Sequence, residues 1–304
     1  MSDESQTMRG STTTECAKEP MSMRKIALGV AFAVSLGAAN ANALPVIPNG
    51  AGYGMNTPAG RGGKVIKVTN LNSSGAGSLR ACVDASGPRV CVFEVSGTIH
   101  ADADLIIRNP YITIAGQTAP SPGVMWRGGA LWVAASNVLV QHMRFRAGDA
   151  PNGPDPENRD ALKIGGAKTA PVSSNIVIDH CSFSWAPDEN VSLWDSWDNV
   201  TLTNNIISEG LRESLNPLGQ AGYGLILGPV KGHASIVGNL LAHNKARNPL
   251  SYTTNMVFVN NVVYNRANKD VDIGSMDGTV PQAAVVGNVL IRGADYGTRN
   301  EPVL

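Results

Sequence analysis

The chain has 304 residues, of which 43% are hydrophobic, 16% are charged and 5% are aromatic. Lys and Arg number 24 and Asp and Glu number 24, so the formal net charge is zero. A nucleic-acid binder would carry a basic excess, and a disordered chain would be more charged and less regular in its apolar runs, so the totals argue against both.

The N-terminal segment has the pattern of a secretion signal. Residues 23–25 include the basic pair Arg24-Lys25, residues 26–36 are apolar, and residues 41–43 fit a small-residue cleavage site. The apolar stretch is too short for a membrane span. We therefore predict that residues 1–43 are a leader, whose start before Met21 is doubtful, and that the protein is secreted, into the extracellular space or the periplasm.

The first elements predicted after the leader are a strand over residues 64–68 and a short helix over residues 78–83, with Ser78 as its N-cap. Cys82 and Cys91 flank the end of this helix and a turn, so an exported protein is expected to join them in a disulfide. Cys181 is expected to be a buried apolar side chain rather than a nucleophile.

A sequence motif recurs through the rest of the chain: an apolar, β-branched run that includes asparagine. It occupies residues 175–180, 199–207, 234–241, 256–263 and 284–290, after strands predicted at 90–95, 105–107, 111–115, 131–133 and 138–140. Asn239, Asn261 and Asn288 are separated by 22 and 27 residues. This recurrence predicts a parallel β-solenoid in which asparagine side chains stack from coil to coil and the short helix caps the first coil. A β-sandwich is the alternative. However, the residue pairs that end in these asparagines lie inside the motif, where a hairpin turn would reverse the chain too early.

Two polar stretches, residues 144–156 and 208–219, are predicted insertions on the binding face. Asp160 lies 28 residues before Asp188, which is about one coil, and Glu189 follows directly. Carboxylates stacked on neighbouring coils form a hard-oxygen site suited to calcium. The alternative is that they are solvated loop acids.

Several segments resemble pectate lyases. Residues 177–184 (VIDHCSFS) resemble the family signature, residues 160–162 resemble its DAI element, and residues 243–249 resemble the segment that ends in its RxP motif. Residues 75–80 and 111–120 are also similar to this group, so that the resemblance extends over most of residues 50–290. It implies an all-β fold, a single-stranded right-handed parallel β-helix with a short N-terminal capping helix, which agrees with the solenoid read from the repeats.

The resemblance also implies an activity, the calcium-assisted β-elimination of polygalacturonate, the de-esterified form of pectin. Arg247 matches the arginine of the RxP motif, which acts as base or, since a guanidinium stays protonated, stabilises the developing negative charge. The implied calcium ligands are Asp160, Asp188 and Glu189.

The chain departs from the family pattern at three positions. Ser192 replaces the acid expected four residues after Asp188, no lysine occurs near Gly222, and the second arginine after the RxP motif is Tyr252 or Leu250. These losses predict weaker binding of calcium and substrate, for which Lys245 and Arg212 are the candidate substitutes as substrate-binding residues.

We expect one domain over residues 44–304, which would be truncated at its C-terminus if the given chain is a fragment of a longer protein. We also expect a monomer without nucleic-acid or membrane partners. Two other functions stay open. A pectin hydrolase would need acids at the separation of an inverting glycosidase, and Asp188 and Glu189 are expected to point apart on a strand. A non-catalytic carbohydrate-binding solenoid is kept open by the missing lysine and by Ser192.

Overall fold

The computed structural model describes residues 44–295 of the chain. The described residues belong to one compact unit of the chain. The predicted leader and the predicted truncation at the C-terminus lie outside the described residues.

Within residues 44–295 the chain forms 24 strands and one α-helix. In chain order the elements are β1 (Lys64–Val68), α1 (Leu79–Asp84), β2 (Arg89–Phe93), β3 (Gly97–His100), β4 (Leu105–Ile107), β5 (Ile112–Ala115), β6 (Val124–Arg127), β7 (Leu131–Val133), β8 (Val138–Gln141), β9 (Arg144–Arg146), β10 (Leu162–Gly166), β11 (Ser173–Asp179), β12 (Ser182–Ser184), β13 (Glu189–Asp195), β14 (Trp197–Thr203), β15 (Ile206–Ser208), β16 (Tyr223–Leu227), β17 (His233–Val237), β18 (Leu240–Ala242), β19 (Leu250–Ser251), β20 (Asn255–Val259), β21 (Val262–Tyr264), β22 (Asp272–Ile273), β23 (Ala283–Val286) and β24 (Val289–Ile291). Short 3₁₀ turns lie at Gly116–Thr118 and Pro156–Asn158.

These strands form three parallel sheets of nine, eight and seven strands. The nine-stranded sheet runs β1-β2-β5-β8-β11-β14-β17-β20-β23, the eight-stranded sheet runs β3-β6-β9-β12-β15-β18-β21-β24, and the seven-stranded sheet runs β4-β7-β10-β13-β16-β19-β22. Each full coil therefore gives one strand to each sheet in turn, and every pair of neighbouring strands belongs to consecutive coils. This is the parallel β-helix predicted from the sequence.

Apolar side chains at equal positions of successive coils fill the interior. In the nine-stranded sheet Ile112, Val138, Ile176 and Val200 lie in register, and all four are fully buried. In the eight-stranded sheet the ring of Phe145 stacks on that of Phe183 in the next coil, with the ring centroids 5.5 Å apart. Because a single coil has no second layer, its apolar face is buried only by the coils above and below it.

Asparagine side chains form a ladder where the nine-stranded sheet turns into the eight-stranded sheet. The amide nitrogen of Asn205 donates to Oδ1 of Asn239 at 3.0 Å, Asn239 donates likewise to Asn261 at 3.0 Å, and Asn261 donates to Asn288 at 3.0 Å. Each of these amides also donates to a backbone carbonyl of the nine-stranded sheet one coil earlier, which for Asn239 is that of Leu202 in β14. The predicted asparagine ladder is thus confirmed.

The residue before each ladder asparagine makes the turn possible. Asn204, Gly238, Asn260 and Gly287 have φ between 50° and 70°, in the left-handed region that glycine and asparagine adopt most readily. The doublets Gly238-Asn239, Asn260-Asn261 and Gly287-Asn288 therefore divide two tasks. The first residue bends the chain, and the second joins the coils.

The predicted helix and disulfide are both present. Ser78 caps α1 by accepting a hydrogen bond from the backbone nitrogen of Ala81 at 3.2 Å, and the buried Leu79 packs into the core. Cys82 of α1 is bonded to Cys91 of β2, with their Cα atoms 5.9 Å apart. Cys181 is a free, buried cysteine, as expected.

Several predicted boundaries were wrong; the strand predicted over residues 90–95, for example, is β2 at Arg89–Phe93. Residues 144–146, predicted to start a polar insertion, form strand β9, because Phe145 points into the core while the flanking arginines point outward. The strand predicted from Tyr111 begins at Ile112, since Tyr111 has a φ of 62° and belongs to the turn. Among the described residues, none of the helical segments has the length and apolarity to span a membrane.

Candidate active site

A cavity of about 580 Å³ opens on the outer face of the seven-stranded sheet. Part of its polar lining comes from residues just before strands of three different coils: Asp160 before β10, Asp188 before β13, and Arg247 before β19. Parallel strands begin at the same edge of their sheet, so residues far apart in the chain meet here. We call this group, with Glu189, the cleft cluster.

The three acids of the cleft cluster converge. Asp160, Asp188 and Glu189 each present a carboxylate oxygen within 4.8 Å of the others. The backbone nitrogen of Glu189 donates to Oδ1 of Asp160 at 3.1 Å, which joins the two coils. The expectation that Asp188 and Glu189 point apart was wrong. Only Glu189 is in the strand, whereas Asp188 lies in the preceding turn and is free of the strand alternation.

Burial perturbs these carboxyl groups. Asp160 is 5% exposed, and its removal from water raises its pKa well above the usual value, with neighbouring Asp188 adding to the rise and Lys163 opposing it. Burial likewise raises the pKa of Asp188 to about 6, against the attraction of Arg247 and Lys163. The pocket therefore disfavours the ionised forms of both aspartates. A cation bound between them would stabilise those ionised forms.

Arg247 reaches the acids from two coils beyond Asp188. Its guanidinium forms an ion pair with Glu189 and lies 3.8 Å from the ring centroid of Tyr223. Tyr223 is paired with Glu189 in the register of the strands between the two coils, so it supports the guanidinium from the intervening coil. Burial lowers the pKa of Arg247, while the charge of Asp188 raises it.

A network of buried amides holds the Arg247 loop. Asn190 donates to Asn244 at 3.0 Å, and Asn244 donates to Asn248 at 3.1 Å; all three are at most 1% exposed. The backbone nitrogen of Leu225 also donates to the carbonyl of Arg247. Arg247 has a φ of 60°, so the loop is in a conformation that an isolated arginine would rarely adopt. Sequence reasoning missed this network, for which the only signal was the pair Asn244 and Asn248 around Arg247.

The cavity also contains residues that the sequence did not single out. Lys163 points outward from β10 because its neighbours Leu162 and Ile164 are buried. Its Nζ lies 4.0 Å from Oδ2 of Asp104 and 5.8 Å from the ring centroid of Trp132. Trp194 also lines the cavity and is 37% exposed. These aromatic faces, with the lysine, suit a sugar chain that carries carboxylates.

The two predicted substrate-binding residues lie away from this cavity. Lys245 contacts the carbonyl of Gln220 and lies 5.5 Å from the ring centroid of Tyr223, beside the cleft cluster but not in the lining of the cavity. Arg212 lines a separate groove and pairs with Asp295 at 3.4 Å. Their roles stay predictions, and for Arg212 the structure offers no contact with the cleft cluster.

The chain is similar in sequence to curated proteins named probable pectate lyase C. It is 35% identical over 269 residues to that of Aspergillus terreus, covering 88% of this chain and 59% of the relative. It is 37% identical over 257 residues to that of Aspergillus flavus, covering 84% of this chain and 56% of the relative. The chain is a homologue of these proteins. It spans a little more than half of their length, and no family model matches it.

Solved structures share the fold. The major allergen of cedar pollen matches with a TM-score of 0.54 at 15% identity, covering 84% of this chain and 86% of that chain. A Bacillus subtilis pectate lyase mutant matches with a TM-score of 0.50 at 14% identity, covering 83% and 88%. At this identity the likeness concerns the fold alone. The resemblance to pectate lyases and the parallel β-helix expected from the sequence are both confirmed.

Proposed function

We propose that the protein is a polysaccharide lyase that cleaves polygalacturonate by β-elimination, and that the cleft cluster is its active site. The observation that carries this proposal is the ion pair between the half-buried guanidinium of Arg247 and Glu189, one of three converging carboxylates in a cavity that opens on the sheet face. The homologues named probable pectate lyase C support the same assignment.

In this reaction a base removes the proton at C5 of a uronate, the C4–O4 bond breaks, and a C4=C5 double bond forms while the leaving oxygen takes up a proton. Negative charge develops next to the uronate carboxylate. Arg247 contributes a fixed positive charge at that point, because a guanidinium stays protonated and its planar fork matches a carboxylate. The ion pair with Glu189 and the stacked Tyr223 hold it in place before substrate arrives.

The donor set fits calcium. Asp160, Asp188 and Glu189 offer only hard carboxylate oxygens, which calcium prefers, and burial raises the pKa of the two aspartates despite the nearby Lys163 and Arg247, so a bound cation would favour their ionised forms. Bound calcium would acidify the C5 proton by drawing charge from the adjacent uronate carboxylate. Glu189 is shared with Arg247, so Asp160 and Asp188 would provide most of the protein's share of about six to eight ligands.

Other residues would orient the polymer. Lys163 presents an ammonium group to the cavity beside the face of Trp132, and Trp194 offers a further apolar surface. Together they would hold one uronate carboxylate and the flat face of a neighbouring sugar. We further propose that the enzyme acts after export, since its Cys82–Cys91 disulfide suits an oxidising compartment.

An inverting hydrolase on the same cleft is disfavoured by geometry. Inverting glycosidases keep their carboxyl groups roughly 6.5–9.5 Å apart to admit a water molecule, whereas the acids here lie closer together. The test incubates the protein with polygalacturonate and calcium and follows both ultraviolet absorbance and reducing ends. A lyase raises both, a hydrolase raises reducing ends alone, and a carbohydrate-binding solenoid raises neither.

A further inference from the structure

A second cluster of metal-ligating side chains lies at the ladder corner, where the nine-stranded sheet turns into the eight-stranded sheet. His142 follows β8 and His180 follows β11, one coil later, and both have φ close to 54°. The backbone nitrogen of His142 donates to the carbonyl of Asp179 at 3.1 Å, which fixes the two turns against each other. Neither histidine lines the cleft, whose acids lie at a different corner of the coil.

The two imidazoles lie one above the other. Their ring centroids are 4.8 Å apart and their planes are inclined by 20°. Both side chains are exposed, so the rings can lean together without disturbing the core. Side chains at equal positions of adjacent coils are expected to stack at this distance, because neighbouring strands lie about 4.8 Å apart.

A buried carboxylate orients one of the rings. Asp179 is 2% exposed and accepts from Gln141 at 2.8 Å and from Asn204 at 3.1 Å, and its Oδ1 lies 2.6 Å from Nδ1 of His180. Since Oδ1 belongs to a carboxylate, Nδ1 of His180 donates to it. The proton is thereby held on Nδ1, and the lone pair of Nε2 is left to face solvent. This is the arrangement in which proteins prepare a histidine to bind a metal ion.

We propose that His142 and His180 bind a divalent transition-metal ion, with Asp179 as the positioning residue of the pair. A nitrogen or oxygen atom from each of the three residues lies within 4.8 Å of the others. Tetrahedral zinc with bonds of about 2.0–2.1 Å needs nitrogen atoms roughly 3.4 Å apart, which exposed rings reach by a small rotation. Neutral imidazoles suit zinc, nickel and copper and are poor ligands for calcium, so this site is distinct in chemistry from the cleft cluster. The bound ion would join two adjacent coils.

The chain offers a matched control. His233 also has its Nδ1 beside a carboxylate oxygen, that of Asp198, at 2.9 Å. Its ring packs against Tyr53, with centroids 4.9 Å apart, and has no second imidazole above it. It therefore has the oriented histidine without the second ligand.

The experiment titrates zinc into the untagged full chain by calorimetry, with calcium in excess to occupy the acids of the cleft. The wild type should bind one equivalent. His142→Ala and His180→Ala should each lower the affinity at least tenfold, Asp179→Asn should lower it by about 10–100-fold, and His233→Ala should leave it unchanged. Zinc should also raise the Tm of the wild type and of His233→Ala but not that of the two ligand variants. No zinc binding by the wild type, or unchanged affinity in either His142→Ala or His180→Ala, overturns the proposal.

Discussion

The ladder corner and the cleft cluster are built from the same coils but by opposite rules. At the ladder corner, successive coils repeat one residue type, and each neutral amide from Asn205 to Asn261 meets both a carbonyl and the next amide. In the cleft, different coils contribute different residues: two adjacent coils supply the acids, and Arg247 pairs with Glu189 from two coils away. Repetition gives the scaffold, and departure from the repeat gives the chemistry.

The two regions also differ in electrostatics. The ladder buries groups that carry no charge, so its hydrogen bonds are satisfied at every pH. The cleft buries carboxyl groups whose pKa values rise because water has been removed. Perturbed carboxyl groups around a cavity are a mark of a functional site, whereas a satisfied amide ladder is a mark of a structural one.

Removal of metal should produce the largest change in activity, and it should act through the cleft cluster rather than through the ladder. Chelation is expected to abolish elimination by the wild type, because Asp160 and Asp188 would lose the cation that keeps them ionised. Added calcium should restore the rate, and magnesium should do so poorly, since it demands tight octahedral geometry. The measurement is the initial rate of ultraviolet absorbance on polygalacturonate, with circular dichroism to confirm an intact fold.

His142→Ala serves as the control for this titration, because it removes the proposed zinc site and leaves the cleft intact. It should lose and regain activity as the wild type does. Full activity of the wild type in excess chelator would contradict the calcium assignment.

Removing one asparagine of the ladder should lower the free energy of unfolding and leave the elimination rate of the folded protein unchanged. Asn239→Ala removes the amide that serves the Leu202 carbonyl and the Asn205 backbone nitrogen, both of which then stay buried without a partner. The expected loss in the free energy of unfolding is roughly 2–4 kcal/mol. Asn255→Ala, whose amide only contacts the adjacent Thr254 side chain, should cost less than about 1 kcal/mol. Urea unfolding measures both, and equal costs would refute the structural role of the ladder.

Opening the Cys82–Cys91 disulfide should destabilise the cap without touching the cleft. The loop it closes is short, so the chain-entropy model gives a loss of about 2–3 kcal/mol. The double variant Cys82→Ala, Cys91→Ala, unfolded by urea beside the wild type, measures this loss. Free thiols at both positions in protein isolated from an oxidising compartment would refute the bond.

The smallest effect concerns pH in metal-free protein. Folding raises the pKa of Asp188 from about 3.8 to about 6, so the folded state holds this proton more tightly than the unfolded state does. The stability associated with the group is present below pH 4 and is lost as pH rises toward 6. Asp188→Asn should flatten this part of the curve, and calcium should reverse the loss. A wild-type stability that is independent of pH between 4 and 6 without calcium would contradict the shift.

The repeated parts of the molecule were predictable from sequence because stacking requires equal residues at equal positions. The runs around Asn239, Asn261 and Asn288 predicted both the solenoid and its ladder, and the spacing of Cys82 and Cys91 predicted a bond that the structure contains. Such features depend on neighbours in sequence or on a fixed period.

The cleft was harder to predict because its parts follow no period. The 28-residue interval was enough to place Asp160 near Asp188, but not to show that the carboxylate of Glu189 turns toward them and pairs with Arg247. Lys163 was missed because its direction depends on which face of β10 is buried. The Asn244 network was missed because Asn190, in strand β13, lies 54 residues before Asn244 in the chain.

The most direct test of the account is the kcat of Arg247→Ala on polygalacturonate, measured by ultraviolet absorbance with calcium present and the fold checked by circular dichroism. The account predicts that kcat falls by about a hundredfold or more while KM changes little, as for a group that acts mainly in the transition state. Arg247→Lys should recover little of this loss, because a flexible ammonium does not reproduce the guanidinium fork. A kcat of Arg247→Ala close to that of the wild type would contradict the assignment of the cleft cluster as the active site.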